Sequence, residues 1–120
     1  MAYHDLIDMS VGTSPEGEAT AAIEAGEDHL NGHGTVHGGV LASLADSAMG
    51  AALVGASNGE RHPVTVSLTV TYLEPAPQGR ITAVARVRRL GGRLTIAEAD
   101  IMSAEGTVVA TALGTFASID

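Results

Sequence analysis

The sequence predicts an α+β fold in which one antiparallel β-sheet wraps around a single long helix, and three observations carry that expectation. Apolar residues recur at helical spacing from Gly39 to Val54. A period of two runs from Val64 to Tyr72, and two further strand-like stretches, Arg80 to Leu90 and Arg93 to Met102, flank the pair Gly91-Gly92. With 120 residues there is room for one core, so residues 1–120 are expected to form a single domain. One sheet packed on one helix is the simplest way to bury these apolar faces.

Along the chain, Tyr3 to Gly12 alternates weakly and reads as a short strand, and Ser14-Pro15-Glu16-Gly17 supplies turn chemistry. Ala19, Ala21, Ile23 and Ala25 alternate with Thr20, Ala22 and Glu24, which indicates a second strand. A polar, Gly-rich loop follows from Glu27 to His37. In the helix, Leu41, Leu44, Ala45, Ala48 and Ala52 form one face, while Ser43, Asp46, Ser47 and Gly50 fall on the other. Gly55 to Gly59 has the Gly and Asn suited to a helix end. Val64, Val66, Leu68, Val70 and Tyr72 alternate with Thr65, Ser67, Thr69 and Thr71, the pattern of a half-buried strand that Glu74-Pro75-Ala76-Pro77 stops. Gly91-Gly92 suits the positive φ angles of a tight hairpin. The apolar phase changes around Ile96, which suggests a bulge there. Ala104-Glu105-Gly106 turns into a last strand, Thr107 to Ile119, so that four strands after the helix would form a meander.

Composition narrows the function. The net charge is −8, the pI is near 4.9, and all six basic side chains are Arg. Four of the six lie between Arg86 and Arg93, a cationic spot able to hold the phosphates of one small ligand, or simply a solvated hairpin. It is too small for a nucleic-acid face. The absence of Cys excludes disulfides, thiolate catalysis and cysteine metal sites. The start MAYHDLIDMS has neither the basic flank nor the apolar run of a signal or anchor. Ser43, Asp46 and Ser47 interrupt the apolar run after Gly38, so no membrane span and a cytoplasmic location are expected. Aromatic residues make up only 2% and the apolar stock is mostly Ala and Val, so a lone protomer would bury little area per residue. That favours further burial between subunits.

Three readings compete for the loop. His29, His33 and His37 are spaced by four, which on a helix would align metal ligands, but Gly32 and Gly34 lie between them and no metal site is expected. The glycines lack the Lys-Ser/Thr ending of a phosphate-binding P-loop. The third reading is that Gly38-Gly39 opens the helix, where unpaired N–H groups and the positive end of the dipole favour a developing oxyanion. Asp46 lies mid-helix, where an acid gains nothing from the dipole. By residue type it fits a solvated outer face as well as a chemical role. If Asp46 and the Gly38 N–H act on one carbonyl, eight residues separate them by roughly 12 Å along the axis. Both must lie about 3 Å from the reacting atom. One protomer cannot supply both. Two antiparallel helices about a two-fold axis can, which predicts a dimer with two interfacial sites.

The stretch from His29 to Asp46, with its Asn31, Gly-rich loop, His37-Gly38-Gly39 and Leu44-Ala45-Asp46, resembles the PaaI-like (phenylacetyl-CoA type) hotdog thioesterases. Further likeness covers Thr65 to Pro75, Arg86 to Arg93 and the closing segment to Phe116. The resemblance implies a hotdog fold, a homodimer or homotetramer, and hydrolysis of acyl-CoA to a carboxylic acid and CoA without metal or organic cofactor. It implies that Asp46 is the catalytic carboxylate, as general base or nucleophile, and that the Gly38 N–H polarises the thioester carbonyl. It further implies that Asn31 and His37 position the thioester or its loop, and that Thr65 orients the water. Tyr72, Arg89, Gly91, Gly92 and Arg93 would line the CoA portion. The alternative is a non-catalytic acyl-CoA binding or sensing module, against which the Asn31, His37-Gly38 and Asp46 set argues. Hydration of enoyl-CoA would want an Asp and a His a few residues apart near the helix start, and that pair is missing.

Overall fold

The computed structural model describes residues 3–13 and 16–119. Where alternation suggested a strand from the start, one helical turn, α1 (Tyr3–Leu6), precedes the four-residue strand β1 (Ser10–Thr13). Asp8, at φ 57°, makes the break between them, using the left-handed region that Asp tolerates better than most residues. Of the expected turn, Ser14 and Pro15 lie outside the described residues, and Gly17 takes φ 78°. Next come β2 (Glu18–Ala25), a 3₁₀ turn (Glu27–His29) and the long helix α2 (Gly38–Ala56). Asn58 and Gly59, at φ 55° and 79°, end that helix. The strands β3 (His62–Tyr72), β4 (Gly79–Leu90), β5 (Leu94–Met102) and β6 (Val108–Ile119) complete the chain.

All strand pairings are antiparallel, in the order β1-β2-β4-β5-β6-β3. The meander is therefore β4-β5-β6 only. Strand β3 leaves the helix for the far edge and pairs with β6, because α2 carries the chain from one side of the sheet to the other. The core joins Leu41, Leu44, Met49 and Leu53 of α2 to Ile23, Ile81, Ile101 and Phe116 of the sheet. Between them lie buried alanines at 45, 48, 83, 85 and 97, small enough to let helix and sheet approach closely. By length and hydropathy α2 could span a membrane, but it lies along the sheet as the core helix.

Four local expectations change. Gly50 is buried rather than solvated, and an added Cβ would meet Pro63 Cγ at 3.5 Å, so α2 passes close to the start of β3. Gly91 and Gly92 do not take positive φ. Gly91 is instead needed because a Cβ there would collide with the Leu94 carbonyl oxygen. The bulge opposite Ile96 lies on β4: Val87 faces Ala97 and Arg89 faces Ile96, leaving Arg88 as the extra residue. Finally, β3 is an edge strand, with Val64 46% and Val66 59% exposed instead of one face being buried. A second bulge, at Val66 between Thr65 and Ser67, reverses its side-chain phase.

Candidate functional site

The Gly-rich loop is built on side-chain-to-backbone bonds. Asn31 Oδ1 accepts from the N–H groups of His33 (2.8 Å) and Thr35 (3.3 Å), and its Nδ2 donates to Thr35 Oγ1 (2.9 Å). His29 is buried, with Nδ1 accepting from Gly26 N–H at 3.0 Å, which leaves Nε2–H to donate to the Ile7 carbonyl at 2.8 Å. The His29 carbonyl in turn accepts from His37 N–H. Both His29 ring nitrogens are thus engaged in holding the loop, and the imidazoles of residues 29, 33 and 37 do not converge: among the described residues no group of three His, Asp or Glu could hold a metal ion.

His37 caps α2. Its Nδ1 accepts from Gly39 N–H at 2.9 Å, while its carbonyl accepts from Val40 and Leu41. Gly38, the first helical residue, has an N–H that meets no acceptor among the described residues. This is an orphan donor at the positive end of the helix, as geometry there dictates. Tyr72 closes over it: the phenol OH donates to the Gly38 carbonyl at 2.7 Å, and a Cβ at 38 would sit 3.3 Å from the ring. A cleft of about 410 Å³ opens beside them, bordered by Asn31, Gly38, Leu41, Tyr72 and Pro75.

Two turns along the helix, Asp46 Oδ1 accepts a 2.7 Å hydrogen bond from Thr65 Oγ1. The carboxylate is half-buried and lies at the β3 edge of the sheet. Regular alternation would put Thr65 on the outer face with Thr69 and Thr71. The Val66 bulge turns it toward the helix instead. The contacts Gly38–Tyr72, Asp46–Thr65 and Gly50–Pro63 show α2 running antiparallel along β3. Within one protomer the Gly38 N–H and Asp46 therefore remain ~12 Å apart along the axis.

The residues expected to line one ligand tail are divided. Tyr72 sits with Gly38 at one end of β3. Gly92 and Arg93 border a separate cleft of about 640 Å³ at the other end. Arg86 and Arg88 both pair with Glu98, and these hydrogen bonds, from Arg88 and then Arg86, hold the Glu98 carboxyl below its usual value against a smaller opposing push from burial. Arg89 and Arg93 form no ion pair among the described residues. Sequence reasoning missed two features. Ser43 Oγ–H donates to the Gly39 carbonyl, so Tyr3 OH donates to Ser43 Oγ (2.8 Å), and His4 Nε2 meets Ser47 Oγ (3.1 Å); α1 thus covers the helix face beside Asp46. Arg61 also reaches across to the Gly91 carbonyl. Neither contact leaves a periodic signal.

Comparison with known proteins agrees with this architecture. The family model of the thioesterase superfamily matches residues 33–110. A protein named as an esterase in Halobacterium salinarum is 36% identical, over 92% of this chain and 80% of that protein. Acyl-coenzyme A thioesterase 13 of Homo sapiens is 32% identical, over 78% of this chain and 68% of its own length. A variant of the phenylacetic acid degradation protein PaaI of Thermus thermophilus superimposes with a TM-score of 0.86 at 35% identity, over 98% of both chains.

Proposed function

Because the chain belongs to the thioesterase superfamily and has the hotdog fold, we propose that this thioesterase hydrolyses aryl-acyl or short- to medium-chain acyl-CoA in the cytoplasm, at sites shared between two protomers. The observation that carries the reading is the pairing of an unfilled donor with a placed acid. The Gly38 N–H has no acceptor among the described residues, and Asp46, on the same helix, is aimed by Thr65 of β3, yet Gly38 and Asp46 are too far apart for one substrate.

A second copy resolves the distance. Strand β3 is an 11-residue edge with exposed Val64 and Val66, a template for pairing with its own counterpart. Joining two β3 edges about a two-fold axis sets the α2 helices antiparallel, since each runs along its own β3. The Gly38 N–H of one protomer then faces Asp46 of the other. In this reading the N–H, strengthened by the helix dipole, stabilises the oxyanion. Asp46 takes a proton from water as it attacks, or attacks directly to form an anhydride that water then opens; on either route the oxyanion collapses, the C–S bond breaks, and CoA leaves as a thiolate that takes up a proton, while Thr65 holds the carboxylate in place. Asn31 and His37 act as positioning residues by shaping the loop and capping the helix start. The dimer is the minimal unit, and pairing of dimers gives a tetramer.

Thiol release measured across phenylacetyl-, short-, medium- and long-chain acyl-CoA tests the proposal. Turnover of at least one aryl or short- to medium-chain substrate, lost in Asp46→Asn, is expected. Absence of thiol release from all of them would reject it.

A further inference from the structure

Arg61 is the one arginine whose placement no pattern in the chain announced. Its backbone N–H donates to Ser57 Oγ at 3.1 Å, and that buried serine donates onward to the Val54 carbonyl at 3.0 Å. Its Nη1 crosses to the Gly91 carbonyl in the β4–β5 hairpin. The half-buried guanidinium is therefore fixed from both ends, with its other N–H groups left over. It borders the 640 Å³ cleft with Gly92, Arg93, Leu94, Ala117 and Ser118.

The charge there runs against the rest of the molecule. The protein carries −8, and Arg80, Arg86 and Arg88 are all paired with glutamates. Among the described residues, Arg61 and Arg93 have no carboxylate partner and none that lines their cleft is acidic. Two unpaired guanidiniums, one of them held in place, with a serine alongside, make a receptor for a phosphate: planar donors match its oxygens, and pre-ordering reduces the entropy lost on binding. The cleft is also well placed. Arg61 lies four residues before Thr65 along β3, roughly 13 Å at strand spacing, and Thr65 holds Asp46. An extended pantetheine arm is longer than that separation.

We propose that Arg61, together with Arg93 and Ser118, grips a phosphate of the CoA moiety in this cleft while the thioester lies at Asp46. The assignment rests on the acyl-CoA reading above and adds Arg61 as a phosphate ligand. Coupling through Gly91 makes it also the residue that holds the hairpin where Arg93 can act.

Isothermal titration of the intact protein with CoA, with pantetheine and with inorganic phosphate tests this without requiring turnover. Wild type should bind CoA at least ten-fold more tightly than pantetheine. Arg61→Gln and Arg93→Gln should each shrink that ratio five-fold or more, and Arg80→Gln should keep it. The Arg93 side chain makes no hydrogen bond or ion pair among the described residues, so its variant reads the cleft even if Arg61→Gln loosens the hairpin. A ratio unchanged in both variants overturns the proposal. Inorganic phosphate binding as tightly as CoA also overturns it, by making the cleft a free-phosphate site. The acyl-CoA reading fails separately, if wild type releases no thiol from any substrate.

Discussion

Thr65 Oγ1 donates to Asp46 Oδ1 at 2.7 Å, and the two meet only because Val66 is bulged out of β3. A regular strand would turn Thr65 to the outer face of the sheet. One extra residue at an edge thus aims an acid on the neighbouring helix, as bulges beside functional sites commonly do.

Asp46→Asn keeps the shape and removes the carboxylate proposed as base or nucleophile. Turnover of the best acyl-CoA substrate should fall about a thousand-fold with the oligomer intact by light scattering. Thr65→Val removes one hydrogen bond to a charged group and should cost ~10-fold in kcat. An equal loss in both variants would mean that Thr65 does more than orient the carboxylate.

Gly114 is a packing requirement. A Cβ there would lie 2.7 Å from Phe116 Cε1 and 3.0 Å from Met49 Cε, between sheet and helix. Gly114→Ala should destabilise the fold by about 1–3 kcal/mol, measured by denaturant unfolding.

Thr95 is fully buried, and its Oγ1 is the one buried side-chain polar atom without a hydrogen-bond partner among the described residues. Thr95→Val removes that cost at nearly constant volume. The unfolding midpoint should rise, by about 1 kcal/mol in stability.

Hydrogen bonds from Arg88 and Arg86 lower the Glu98 pKa in the folded state. A depressed carboxylate contributes stability that is present above its unfolded pKa and is lost as pH falls through the folded value. Glu98→Gln should therefore flatten the acid side of the stability–pH curve, below about pH 4.3, and leave the slope near neutrality unchanged.

The elements were legible where periodicity rules. Spacing of Leu41, Leu44, Ala45 and Ala48 announced the helix, and alternation announced β2 and β3. Strand neighbours were not legible, because alternation in β3 says that one face is apolar and not that β6 pairs with it on one side only. Helix arithmetic alone separated Gly38 from Asp46, the distance on which the proposed two-chain site rests. The orientation of Thr65 was hidden, since a bulge changes phase without changing composition. Gly91 was correctly singled out as a turn residue, but for φ rather than for its contact with the Leu94 carbonyl. The Arg61–Gly91 and Tyr3–Ser43 contacts link residues thirty and forty apart, where only the folded chain brings the partners together.

Subunit complementation tests the shared site most directly. Gly38→Pro deletes the N–H at the first helical position, where proline is tolerated, and Asp46→Asn deletes the acid; each variant alone should be inactive. If helix start and carboxylate come from different protomers, hybrids carry one intact site, and random mixing should restore roughly a quarter of wild-type turnover. Hybrids as inactive as their parents would place both groups in one protomer and contradict the two-chain site.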